Sequence, residues 1–178
     1  MQTPLPGDII FCKSSSVLGW LIRWAERRRN EPKSYANHTA GIGSDKNVVE
    51  AVSRVASTDW LAWTKKHKHF EVWRYKSFTP SQRIAVARAA EIYLDRKYGW
   101  WKLFIHLGDS IISKVTGKDA FFFRRVLHVK KYPICSWVWA WAYYRQGVFF
   151  GTDPAYADPD GQHDHVQASD DWKMVLKV

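Results

Sequence analysis

Asn37-His38-Thr39-Ala40-Gly41-Ile42-Gly43-Ser44-Asp45-Lys46-Asn47-Val48-Val49-Glu50-Ala51-Val52 reads as a β-hairpin, with strands over 39–43 and 47–51 around a Ser44-Asp45-Lys46 turn. His38 stands at the start of the first strand and Glu50 lies within the second. The midpoint of positions 38 and 50 falls in the turn, so the spacing predicts that these two side chains pair almost opposite one another and face the same side. Glu50 sits between Val48-Val49 and Ala51-Val52, and a carboxylate inside so apolar a run wants a partner.

The far end of the chain supplies a complementary group. In Tyr132-Pro133-Ile134-Cys135-Ser136-Trp137, Cys135 opens an apolar run that is expected to be helical over 135–145, with Gly147 as its stop. A thiol at a helix start, an imidazole and a carboxylate on neighbouring strands are the parts of a cysteine-nucleophile site. The His precedes the Cys, the reverse of the papain order, but such sites are defined by geometry and role, not by chain order. Taken alone, Cys135 would read as a buried structural thiol. It is the combination with His38 and Glu50 that favours the nucleophile.

The bulk properties bound the rest. The chain has 178 residues and 46% hydrophobic content, enough for one domain, 1–178, with a real core. A formal net charge of +10 suits an anionic partner such as a cell-wall polymer, an acidic lipid surface or nucleic acid. No helix-turn-helix, finger or RNA-binding signature supports a specific nucleic-acid role. The two cysteines, Cys12 and Cys135, lack metal-type spacing, and core-strand and helix-start roles explain them separately without a disulfide. No signal peptide and no apolar stretch near the ~20 residues of a membrane span is visible, so the expectation is a chain made as a soluble cytoplasmic protein, with export by another route left open and its final location undetermined.

Further elements follow from local signals. Pro6-Gly7-Asp8 launches a strand over 9–12, Ser14-Ser15-Ser16 caps a helix over 17–28, and 70–75 alternates as a strand. Residues 59–64 read as a helical turn. Thr79-Pro80 opens an amphipathic helix to about 96 that buries Ile84, Val86, Ala87, Ala90, Ile92 and Leu94. A helix over 101–114 is expected, 152–162 reads as irregular, and 172–178 as a last edge strand. Trp20, Trp24, Trp100 and Trp101 have basic neighbours and suit an amphipathic rim. Lys65-Lys66-His67-Lys68-His69 reads as a solvated charge run. His163 and His165, set among Asp158, Asp160, Asp164, Asp170 and Asp171, offer a metal-like composition, but the reading adopted is a solvated polar loop, with no metal or other cofactor.

Taken in order, these segments resemble a known group. Pro6-Gly7-Asp8-Ile9-Ile10-Phe11, a Ser-led helix, Ser34-Tyr35-Ala36-Asn37-His38-Thr39-Ala40-Gly41-Ile42, Val48-Val49-Glu50-Ala51-Val52, a long helix, Lys97-Tyr98-Gly99-Trp100 and Tyr132-Pro133-Ile134-Cys135-Ser136 resemble the circularly permuted NlpC/P60 proteins of the papain-like superfamily, in particular the YiiX/YebB-like branch. The likeness covers residues 5–147. It implies an α+β fold in which a small antiparallel sheet or barrel packs against helices. It implies Cys135 as nucleophile, His38 as base and Glu50 as the group that orients His38, with Tyr98 and Ser136 near the reacting carbonyl. Trp137-Val138 stand where relatives commonly carry Glu-Leu, and Gly99 where an Asp is frequent.

The expected activity is a cysteine hydrolase that cleaves an amide bond through an acyl-enzyme, with peptidoglycan stem peptide as substrate. A lipid esterase or acyltransferase using the same residues, with peripheral contact to a membrane or an acylated substrate, is the second reading. A non-catalytic binding protein that keeps the fold is the third.

Overall fold

The computed structural model describes residues 3–13, 35–97, 112 and 134–178. The expected helix over 17–28, that over 101–114 apart from residue 112, Tyr98 and the four tryptophans of the proposed rim lie outside the described residues.

Six strands form one open antiparallel sheet: β1 (Ile9–Cys12), β2 (His38–Ile42), β3 (Val48–Ala51), β4 (Val55–Thr58), β5 (Phe70–Tyr75) and β6 (Trp172–Lys177). Their order is β4-β3-β2-β1-β5-β6, which puts β1 and β2 at the centre and leaves β4 and β6 as edges, so the sheet does not close. The helices among the described residues are α1 (Trp60–Lys66), α2 (Pro80–Glu91), α3 (Cys135–Tyr144) and α4 (Pro159–Ala168).

Both faces of the sheet are buried, because its side chains alternate between two apolar clusters. One face carries Ile9, Phe11, Val49 and Ala51 and packs on Trp137, Trp139, Ala140 and Tyr143 of α3. The other carries Ile10, Cys12, Ala40, Ile42, Val48, Phe70 and Val72 and is covered by Trp63 of α1. Close approach of α3 depends on Gly41, where an added Cβ would stand 2.5 Å from the Trp139 ring and 2.7 Å from the Asp8 carbonyl oxygen. The benzo edge of the Trp139 ring fills that space, and its indole N–H donates to the Val49 carbonyl at 3.2 Å. At the other end of α3, Gly147 takes φ +78°, a left-handed stop that suits glycine.

α2 starts as expected, with Pro80 in its first turn and a reciprocal capping box between Thr79 and Gln82. It stops at Glu91, five residues before the expected end, and the chain turns through Asp95 at φ 63°. The early stop leaves Ile92 exposed, and Ile84 also faces solvent; Val86, Ala87, Ala89 and Ala90 form the buried side. Glu91 reaches the β2–β3 turn instead, accepting from the Ser44 backbone N–H at 2.6 Å and from its hydroxyl at 2.9 Å. The hairpin is thereby fixed from outside.

Two elements went unforeseen. β4 was not expected; it pairs along all of β3, with Glu50 opposite Ala56. The stretch expected to be irregular over 152–162 is a 3-10 turn at Pro154–Tyr156 followed by α4. Asp158 caps α4 by accepting from the Gly161 N–H at 2.7 Å, and Pro159 occupies its first turn.

Candidate active site

α3 begins at Cys135 itself. Its N-cap, Ile134, has no side-chain oxygen to offer, so the first backbone N–H groups of the helix are not capped by a side chain. The positive end of the helix dipole therefore falls on the thiol. The Ser136 and Thr39 backbone N–H groups and the His38 imidazole all favour the thiolate form of Cys135. Thr39 belongs to β2, so the central strand and the helix meet at this one atom.

The structure brings His38 and Glu50 together. His38 Nε2 lies 2.8 Å from Glu50 Oε2, with side-chain exposures of 16% and 11% that keep both groups largely out of bulk water. The pairing register differs from the expected one: Glu50 is opposite Ala40, so His38 reaches it diagonally, two residues along the strand. His38 and Ala40 share a face because strand side chains alternate, and a diagonal neighbour remains within reach of a long side chain. With Nε2 occupied by Glu50, Nδ1 is the ring nitrogen left for Cys135.

The electrostatics favour a charged pair. Burial raises the Cys135 pKa, but the His38 charge, the His38 hydrogen bond and the two backbone N–H groups outweigh it and hold the thiol below its ordinary value. Burial likewise opposes the imidazolium, yet Cys135 and Glu50 together push His38 up to about 10. Glu50 is disfavoured by burial and nevertheless stays below its ordinary range through its hydrogen bond to and charge interaction with His38. These directions favour a thiolate–imidazolium pair with a carboxylate behind it.

Two further residues belong to this arrangement, and neither was singled out from the sequence. His67 Nε2 lies 4.0 Å from Glu50 Oε2, and its ring stacks on Trp63 at 4.1 Å with a 13° interplanar angle. Burial lowers the His67 pKa, which keeps this second imidazole neutral beside a carboxylate already engaged by His38. The Trp63 indole N–H favours the Glu50 carboxylate electrostatically, although it makes no hydrogen bond of full geometry. His67 was read as part of a solvated charge run, but Lys65 and Lys66 close α1 and His67 is its C-cap, which turns the ring inward. The signal was present in the four-residue spacing of Trp63 and His67.

Ser136 is fully buried and its hydroxyl donates to the Ala157 carbonyl at 2.7 Å, so the backbone N–H is what it offers the site. Gln162 of α4 buttresses both halves: it donates to the Ser136 carbonyl at 3.1 Å and accepts from the Thr39 hydroxyl at 3.1 Å. Cys12 is a free buried thiol in the second apolar cluster, and burial raises its pKa well above the ordinary value. That matches a core role and separates it chemically from Cys135. His163 and His165 lie on α4, His163 against Glu71 and His165 against Phe150. No helix among the described residues is long and apolar enough to cross a membrane.

No family model matches the chain, and no curated protein matches it in sequence. In structure it is similar to YiiX of Escherichia coli O157:H7, described as a metalloprotein, with a TM-score of 0.66, 19% identity and coverage of 98% of each chain. At that identity the likeness shows the fold.

Proposed function

We propose that this protein is a cysteine hydrolase that cleaves an amide bond through a thioester acyl-enzyme. The observation that carries the reading is the 2.8 Å His38–Glu50 contact, beside a Cys135 that opens a helix and whose thiol the His38 charge helps to hold below its ordinary pKa. The Cys135 thiolate forms a bond to the carbonyl carbon, and the C=O pair moves onto oxygen. Backbone N–H groups at a helix start are suited to receiving that charge. Collapse breaks the C–N bond, and the departing amine takes the His38 proton. His38, now neutral, removes a proton from water; the hydroxide adds to the thioester carbonyl, and the thiolate leaves. Glu50 holds one tautomer and one ring orientation throughout.

Peptidoglycan stem peptide is the proposed substrate. The resemblance to permuted NlpC/P60 proteins supports it, and the net charge of +10 supports residence near anionic wall polymers. The test is incubation with isolated stem peptides and, in parallel, with acyl esters, reading released amine or alcohol and the intact mass of the protein. A Cys135-dependent mass gain with amine release supports the amidase. Turnover of esters alone moves the proposal to an esterase or acyltransferase. No adduct and no turnover with either class overturns the hydrolase reading in favour of a binding protein.

A further inference from the structure

α4 places Asp160, His163 and Asp164 at positions i, i+3 and i+4, on one face of the helix. A nitrogen of His163 and one carboxylate oxygen from each Asp all lie within 4.8 Å of one another. His163 is 2% exposed and Asp160 4%, while Asp164 reaches solvent.

The His163 ring is prepared in a specific way. Nε2 lies 2.9 Å from Glu71 Oε2, which also accepts from the Trp73 indole N–H at 3.0 Å, while Lys177 Nζ stands 2.7 Å from Oε1. A carboxylate only accepts, so Nε2 carries the hydrogen in that contact. The ring plane is set by Tyr35, stacked at 4.7 Å, and by the edge of Phe11 at 5.3 Å. The remaining nitrogen, Nδ1, is buried and has no hydrogen-bond partner among the described residues. A buried nitrogen left in that state carries an unmet desolvation cost. Asp160 is equally constrained: its Oδ1 accepts the backbone N–H groups of Tyr35 at 2.9 Å and Ala36 at 3.3 Å. A carboxylate holding one nitrogen of an imidazole, with the other nitrogen left unpartnered and two more carboxylates close by, matches the usual support of a metal-ligating histidine.

We infer that Asp160, His163 Nδ1 and Asp164 form a site for a divalent first-row transition ion, with Glu71 orienting the imidazole from behind. One imidazole nitrogen and two carboxylates suit Zn2+ or Mn2+, and Asp164 leaves the site open toward solvent. This site differs from the His-x-His arrangement that the composition suggests, because the helix puts His165 one residue past Asp164 and next to Phe150. The ion's role is structural. Asp160 anchors the residues just ahead of His38, and Gln162, between Asp160 and His163, holds Thr39 and Ser136. Binding would stiffen the frame around the thiolate without touching it.

The test uses chelator-treated full-length protein in a Cys135→Ser background, so that no thiolate competes for metal. Zn2+ is titrated by calorimetry, bound metal is counted by elemental mass spectrometry, and the thermal midpoint is followed. The expected result is saturable binding that raises the midpoint, weakened about 10-fold or more by Asp164→Asn and by Glu71→Gln, and unchanged by His165→Ala. Asp164 is exposed, so its variant reports on binding without disturbing the core. Absence of saturable binding overturns the inference. So does binding that Asp164→Asn leaves unchanged, which would place the metal on His38 and His67 or elsewhere.

Discussion

Replacing Glu50 with Gln tests the link between the carboxylate and the proton held on His38. Gln has nearly the same shape and its amide oxygen still accepts from Nε2, so the 2.8 Å contact and the tautomer survive while the charge is lost. A hydrogen bond to a charged group is worth about 1.5–3 kcal/mol, roughly twice a neutral one, so the change removes about 1–2 kcal/mol of support for the imidazolium. With about 1.4 kcal/mol per pKa unit, His38 should lose its proton roughly one unit lower than the value of about 10 that the intact site gives it. The thiolate–imidazolium pair then weakens about tenfold against the neutral thiol and imidazole. The assay is an NMR titration of the His38 ring, assigned against the His38→Ala spectrum. A His38 titration that coincides in wild type and Glu50→Gln would refute the reasoning, because Glu50 would then be a spectator.

Three other outcomes follow from the same geometry. Exchange of a proton between Cys135 and His38 sets how stability depends on pH. If the folded pair is a thiolate and an imidazolium between the ordinary values of 6.5 for His and 9.0 for Cys, folded and unfolded chains bind one proton each there, so its contribution is flat. The contribution falls below that window, where the unfolded chain binds the extra proton, and above it, where the folded chain alone keeps the His38 proton until about 10. Urea unfolding of wild type against a Cys135→Ala/His38→Ala double variant should show this plateau in the difference, and a flat difference from acid to alkali would contradict it. His67→Phe keeps a ring against Trp63 and removes only a neutral imidazole, so the Cys135 alkylation profile should be unchanged above about pH 6.5; a large shift there would make His67 a charged member of the site. Gly41→Ala sets a methyl group 2.5 Å from the Trp139 ring and should destabilise the fold by about 1–3 kcal/mol or more in urea, whereas a neutral effect would mean that α3 does not lie where described.

The hairpin was legible because its turn, alternating residues and misplaced carboxylate agree locally. The thiol helix was legible because an unbroken apolar run begins at Cys135 and ends at a glycine. The register offset came from the turn: two strands around Ser44-Asp45-Lys46 put position 50 against 40, which spacing arithmetic places one step off centre. β4 was invisible because Val55–Thr58 is short, half exposed and defined mainly by pairing with β3. α4 was read as loop because Asp, Pro and Gly are frequent in irregular chain. Here Asp158 is a cap, Pro159 sits where proline starts helices, and Gln162 and His163 are buried by tertiary packing that composition does not report. His67 was missed for the same reason: its lysine neighbours describe the outside of α1, while the ring turns in to Trp63 and Glu50.

The central claim is that Cys135 is a thiolate held by His38. The most direct measurement is the rate of iodoacetamide alkylation at Cys135 against pH, resolved by mass spectrometry from Cys12, in native protein and in His38→Ala. The account predicts fast alkylation well below neutral pH in the native protein, and in the variant a shift toward the 9.0 of an ordinary thiol. Slow alkylation with a midpoint near that ordinary value, identical with and without His38, would contradict it.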